Sequence, residues 1–296
     1  MLLAHGAAHA SPWAWQPHFD VWLLIAAVAG SYWYAVTRLG PRRGEVPVSR
    51  RQAVLFTLGV LALWVHSEWP MHEIAEKYLF SVHMVQHTGF QLIAAPLLLL
   101  GLPTWLFRAL LVDPPLVRRV LRVLGRPLVA GLLFNLIVVL GHWPAVVQAS
   151  LEHHFVHFLV HVVLFASAAL MWLPVLNLGR APELPQLGDA GRMLYLFLQS
   201  VLPTVPASFL TFSDGVIYRF YAAAPRAFDL SAIDDQQLAG ALMKIYAGSL
   251  LWGVIAVIFF RWYSRDQREA AAAQTLRWAD VERELAATPA PKEPAS

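Results

Sequence analysis

The chain has no cysteine among its 296 residues. Disulfides and thiolate ligands are thereby excluded, and any bound metal must be held by imidazole, thioether, carboxylate or backbone oxygen. Charge is scarce as well. Asp, Glu, Lys and Arg make up 14% of the chain against 58% hydrophobic residues, and the mean hydropathy is +0.53. Soluble domains carry about 25% charged residues, so the composition indicates a polytopic membrane protein whose main partner is the lipid bilayer. The formal net charge of +3 gives no reason to expect a nucleic-acid partner. No P-loop, dinucleotide fingerprint or hydrolase elbow is present. The opening stretch MLLAHGAAHASPWAWQPHFD lacks the Lys/Arg region of a signal peptide. Residues 1–17 read as a short extracytoplasmic tail, with Trp13, Trp15 and Trp22 in an interfacial aromatic belt and His5 and His9 as plain tail residues.

What is present is a series of seven apolar runs, at 20–38, 53–66, 79–100, 127–147, 154–175, 193–212 and 238–263. Arginines cluster in alternate connections: Arg38, Arg42, Arg43, Arg50 and Arg51 after the first run, then Arg108, Arg118, Arg119, Arg122 and Arg126 after the third. Arg180 and Arg192 follow the fifth, and the chain after the seventh is again Arg-rich. The other connections hold only Lys77, Arg219 and Arg226. By the positive-inside rule the expected fold is all-α, a seven-helix transmembrane bundle over 18–265 with its N-terminus outside and its C-terminus cytoplasmic. Residues 266–296 read as a cytoplasmic tail, a short amphipathic helix followed by a disordered Pro/Ala/Lys/Glu end.

In that topology every histidine falls in the outer half of the membrane or beyond it. The third run carries His83 and His87 and the fifth carries His157 and His161, each pair four residues apart. On a helix such a pair shares one face and can bind one ion together. At about 1.5 Å per residue, both pairs lie roughly 6–12 Å below the outer helix ends, in one layer. A lone intramembrane histidine is commonly a helix-to-helix hydrogen bonder. Four at matched depth, in two such pairs, point instead to a metal or cofactor site, because unpartnered ionisable rings in hydrocarbon cost several kcal/mol. Met84, Glu152, His153 and His154 lie near the same layer. Imidazole with thioether suits copper, while imidazole without carboxylate also suits haem iron or zinc. His66 and His142 read as interfacial residues, and Gln86 and Gln91 as supporting polar contacts. Pro96 should bend the third helix, and Pro203 and Pro206 should break the sixth. Lys244 should pair with Asp234, Asp235 or Glu152. The loop 213–235 reads as a cap over the site, a contact for a partner domain, or an ordinary interfacial loop.

The stretches HMVQHTGFQLIAAPLLLLGLP, MWLPVL, YLFLQSVLPTVPASFLTFSDGVIY and DDQQLAGALM together resemble the CtaG family of cytochrome c oxidase assembly proteins, the seven-helix kind associated with caa-type oxidases. The resemblance covers about residues 65–262. It implies a non-enzymatic assembly factor of the bacterial inner (plasma) membrane that matures oxidase copper centres. Oxidase subunits and a periplasmic copper donor are the partners it implies. Carried onto this chain, the family's third-helix histidines fall on His83 and His87, and its fifth-helix histidines on His157 and His161 with His153 or His154. Its Asp-Gln-Gln stretch falls on Asp235, Gln236 and Gln237. Lys244 departs from the apolar or aromatic residue expected there.

The resulting expectation is a transfer site. Copper, as Cu(I), is received from outside, held by His83, His87, His157 and His161 with Met84, and released to an oxidase subunit. Copper should be lost as pH falls toward about 6 and the imidazoles protonate. A b-type haem or quinone-handling oxidoreductase with the same histidines as axial ligands is the alternative, and a purely structural scaffold is a third reading. A through-membrane metal transporter is disfavoured, because the inner halves PLLLL and FASAAL offer no polar path.

Overall fold

A computed structural model describes residues 11–287; His5, His9 and residues 288–296 lie outside the described residues. The described chain is helical, with no strand. In chain order the helices are α1 (Phe19–Arg42), α2 (Arg50–Ser67), α3 (Met71–Lys77), α4 (Phe80–Gly101) and α5 (Thr104–Leu111). They continue as α6 (Pro115–Leu124), α7 (Pro127–Gly141), α8 (Pro144–Glu152) and α9 (His154–Leu176). The last four are α10 (Asp189–Val201), α11 (Thr204–Thr211), α12 (Arg219–Ala223) and α13 (Ala232–Ala287).

Five stretches are long and apolar enough to cross a bilayer: α1, α4, α9, α10 with α11, and α13. Two bent pairs qualify only when combined, α2 with α3 at 40° and α6 with α7 at 84°, which brings the count to as many as seven. Together with the exposed large apolar residues that ring the bundle, such as Leu23, Leu128, Phe155, Phe209 and Ile245, this makes the protein a multi-pass membrane protein. The most apolar window of α4 is 67% buried against 17% for α1 and 11% for α13. The helix carrying the first histidine pair is therefore the central one.

Local sequence explains most of the boundaries. Ser49 and Gln52 form a reciprocal capping box that starts α2. In α4, residues Gly89–Ala94 widen into a π-helical turn directly before Pro96. Proline lacks the N–H that an α-turn needs and crowds the carbonyl four residues back, and the wider turn accommodates both defects. The expected bend at Pro96 is thus taken up inside a continuous helix. Pro203 separates α10 from α11, as expected from its position in the sixth run.

Three expectations need correction. The fourth run does not extend as one helix to residue 147. It stops at Gly141, turns at His142 and Trp143, and restarts at Pro144 as α8, since proline is favoured only in a helix's first turn. The seventh run and the expected separate tail helix are one rod, α13, because no proline interrupts 232–287 and Ala270–Ala273 favour helix. Lys244 makes none of the expected carboxylate pairs. Its Nζ donates to the Ser200 carbonyl (3.0 Å) and to Thr204 Oγ1 (2.7 Å), groups made available by the break at Pro203.

The main core packs Phe134 and Val138 of α7 against Leu164, Ala168, Met171 and Trp172 of α9, with Tyr195, Leu196 and Leu251. Trp172 Nε1 donates to the Gln91 carbonyl (2.9 Å), fixing α9 against the π turn of α4. On the other side Tyr32 stacks on Phe56 at 3.6 Å and donates its hydroxyl to the Gly101 carbonyl (3.0 Å). A Cβ on Gly101 would lie 2.5 Å from the backbone nitrogen of Phe56, so α2 and α4 touch backbone to backbone there. Gly101→Ala should force them apart and cost about 2 kcal/mol. A lowered melting temperature in detergent would register this, and an unchanged one would show that the contact yields freely.

Candidate metal centre

Helix α4 has no capping residue of its own at its start, where Leu79 precedes Phe80. The cap comes from Asp235, at the beginning of α13. Its carboxylate accepts from Phe80 N (2.7 Å), Ser81 N (3.0 Å) and Ser81 Oγ (2.6 Å). A negative charge at a helix N-terminus is favourable, and here it lies fully buried. The neighbouring glutamines clamp the preceding loop: Gln236 Oε1 accepts from Ile217 N (2.7 Å), Gln236 Nε2 donates to Gly215 O (3.1 Å), and Gln237 Nε2 to Ser213 O (3.1 Å). The Asp-Gln-Gln stretch thus positions elements and supplies no ligand.

The start of α4 then carries its histidines into those of α9. The rings of His83 and His87 lie 4.1 Å apart, those of His157 and His161 4.2 Å. Across the helices, His87 and His161 are separated by 4.9 Å, with Nε2 to Nε2 at 3.0 Å. His83 lies 6.3 Å from His161 and 6.5 Å from His157. His83, His87 and His157 are buried and His161 partly so. The two pairs predicted from spacing converge in one cluster.

The structure adds residues that the spacing did not indicate. Helix α3, between the second and third apolar runs, lies across the cluster and contributes His72 and Glu76. Glu76 Oε1 sits 2.5 Å from His157 Nε2 and 2.9 Å from His72 Nε2. Yet neither Glu76 Oε1 nor His157 Nε2 has an aligned hydrogen-bond partner. Each of His72, Glu76 and His157 offers one ligand atom, all within 4.8 Å of one another. The expected donor set contained no carboxylate; here Glu76 stands among the candidate ligands. Its signal was the i, i+4 pair His72 and Glu76 in MHEIAEK, which is obscured in the sequence because it lies outside any apolar run.

Around this trio the polar contacts are dense. Fully buried Gln86 donates from Nε2 to the His66 carbonyl (2.6 Å) and reaches His72 Nδ1 (3.1 Å), which orients the His72 ring. Ser150 Oγ meets His157 Nδ1 at 3.2 Å. Further out, His18 bridges Glu68 and Glu73 at 3.2 Å each, and its ring lies 4.6 Å from that of His72. Trp22 Nε1 donates to Glu68 Oε2 (2.6 Å). The result is a line of imidazoles and carboxylates from partly exposed His18 inward to His87.

Other predicted ligands fall elsewhere. His153 and His154 are exposed at the start of α9, one turn outside His157, and His154 Nε2 is 3.5 Å from Asp20 Oδ2. Met84 is buried, with its Sδ 3.2 Å from His142 Nε2 on a cavity that His87 also lines. His66 bonds through Nδ1 to the Ala62 carbonyl (2.7 Å) and packs on Gly89, where a Cβ would lie 2.0 Å from its ring. The loop after α11 packs beside the cluster. Tyr221 donates to the Ala75 carbonyl (2.8 Å) with its ring 6.3 Å from His83, and Tyr218 donates to the His142 carbonyl (2.9 Å).

Four of the buried polar atoms that lack hydrogen-bond partners among the described residues belong to this cluster: His83 Nδ1, His87 Nδ1, His157 Nε2 and Glu76 Oε1. Buried polar groups are ordinarily satisfied, so the free Nδ1 atoms of His83 and His87, beside the close contact of His157 with Glu76, fit a cation. The fold and the site together define a multi-pass membrane protein with a histidine-rich candidate metal centre in its helical bundle. Residues 30–265 match the family described as cytochrome c oxidase caa3 assembly factor (Caa3_CtaG). That match covers most of the chain, and the protein belongs to this family. No curated protein and no solved structure matches it.

Proposed function

We propose that this cytochrome c oxidase assembly factor binds copper as cargo through its membrane histidines and passes it to the copper centres of the oxidase. The observation that carries the reading is the convergence of His83, His87, His157 and His161 beside His72 and Glu76, with Nδ1 of both His83 and His87 buried and without a hydrogen-bond partner. Family membership supplies the destination. Cu(I) is the favoured state on the imidazole-rich inner part of the cluster, and zinc is the competing ion.

In this reading the chain crosses a bacterial inner membrane seven times, N-terminus outside, with each bent pair counted as one span. The arginine-rich connections then lie in the cytoplasm and the histidine cluster near the outer face. Copper from a periplasmic donor meets the carboxylates and imidazoles near His18 and moves inward to His157, His161 and His87. Neutral rings are needed to hold it, so acidification releases it. Haem is disfavoured by the direct ring contacts, since His87 and His161 touch at 3.0 Å with no gap for a porphyrin plane between them.

The test is metal analysis of protein purified without chelator, alongside its His83→Ala variant and a visible spectrum. Copper content that falls clearly in the variant, without a Soret band, supports the proposal. Unchanged copper content in the variant, or a stoichiometric Soret band in the parent, would overturn it.

A further inference from the structure

Beyond His87, on the side away from Glu76, lies a cavity of about 50 Å³ whose lining includes Met84, His87, His142, Gln199, Ser200 and Met243. Its walls carry two thioethers and two imidazoles and no carboxylate. That donor set differs from the oxygen-containing one at the mouth.

The protonation of His142 is settled by its neighbours. Nδ1 lies 2.6 Å from the Val138 carbonyl, an oxygen that can only accept, so Nδ1 carries the hydrogen. In the neutral ring Nε2 is then a bare lone pair. It faces Met84 Sδ at 3.2 Å, and a thioether sulfur has no hydrogen to donate. Two lone pairs are thus held nose to nose between the turn at His142 and the buried side chain of Met84. Charging the ring would place an unpaired cation at the same depth, which is expensive. A bound soft cation would be shared by both atoms and resolves the conflict. A second observation points the same way: His87 is buried, lines the cavity and leaves Nδ1 without a partner.

We infer that Met84, His142 and Met243, with His87 at the boundary, form a second cation site, selective for a soft monovalent ion such as Cu(I). Thioether and imidazole favour a soft ion over a hard divalent one. Lys244 adds to the selection: next in sequence to Met243, its ammonium binds the carbonyl of cavity-lining Ser200, and a nearby positive charge repels a divalent ion twice as strongly as a monovalent one. The role of this site as an onward station for copper rests on the proposed cargo function, but its existence does not. The mouth trio, with its carboxylate, and the inner site, with its sulfurs, then bind ions of different hardness, with His87 between them.

Silver(I), a redox-silent soft ion, is the probe. The purified full-length protein in detergent is titrated with Ag(I) against a chromophoric chelator, and silver X-ray absorption reports any sulfur ligand. The parent should show Ag–S scattering. The double variant Met84→Leu/Met243→Leu, close in volume and apolar, should lose that scattering and at least tenfold in Ag(I) affinity while its melting temperature stays near the parent's. His157→Ala should keep the Ag–S signal, because it removes only a mouth ligand. A parent without sulfur scattering, or a double variant that binds Ag(I) like the parent, would overturn the inference. Should His83→Ala and His157→Ala retain full copper while the methionine variant loses silver, the cargo reading fails and the inner site stands.

Discussion

Replacing His157 by alanine should abolish the copper held by the histidine cluster, leaving at most what the inner thioether site binds, and lower oxidase maturation in cells at least tenfold. His157 is the residue on which the two halves of the cluster meet. Its Nε2 lies against Glu76, its Nδ1 against Ser150, and its ring is 4.2 Å from His161 and 5.9 Å from His72. Loss of a ligand or of its orienting partner in a metal site commonly costs 10-fold to 100-fold in affinity, and here one ring serves as both. His154→Ala, three residues earlier on an exposed turn, should leave copper and maturation unchanged. Copper analysis of both purified variants, with oxidase activity in complemented cells, makes the comparison. Equal losses in the two would mean that the inward face of α9 is irrelevant to metal.

The second large effect is expected from a residue that touches no metal ligand. Asp235→Ala removes the acceptor for Phe80 N, Ser81 N and Ser81 Oγ together. Three buried donors would be left unsatisfied, at about 1–3 kcal/mol each, so a total loss of about 3 kcal/mol or more is expected. For a chain of this size each kcal/mol moves the melting temperature by roughly 2–4 °C. Thermal denaturation in detergent should therefore shift down by roughly 6 °C or more, and copper should fall with it because His83 follows the freed end of α4. Asp235→Asn keeps one carbonyl oxygen and should lose about half as much. A variant with normal melting but reduced copper would instead assign Asp235 a direct part in metal binding.

How much of this was legible beforehand differs by element. The apolar runs gave the helices, because hydrophobic length is the dominant constraint in a bilayer. The two histidine pairs gave the cluster, because a four-residue spacing fixes a common face whatever the tertiary packing. Glu76 and His72 were not readable in that way. They sit in a polar connection whose path over the bundle is a tertiary property, and nothing local to MHEIAEK says that it folds onto His157. Asp235 was noticed as part of a motif and as a possible partner of Lys244 but not as a helix cap, since that cap joins residues 155 positions apart. Lys244 misled because a carboxylate is the usual partner for buried lysine, whereas the break at Pro203 offered a carbonyl and a hydroxyl. His153 and His154 misled because a shared helix face does not fix depth: four and three residues before His157, they lie one turn further out, where the helix begins exposed.

The wide turn at Gly89–Ala94 sets the phase between the two ends of α4. One residue added or removed between His87 and Pro96 would swing the outer segment about 100° around the axis, carrying both imidazoles toward lipid with every side chain otherwise intact. Chain length over those few positions is accordingly as much a component of the metal centre as the ligands themselves, and insertions or deletions there should be tolerated less than any single substitution.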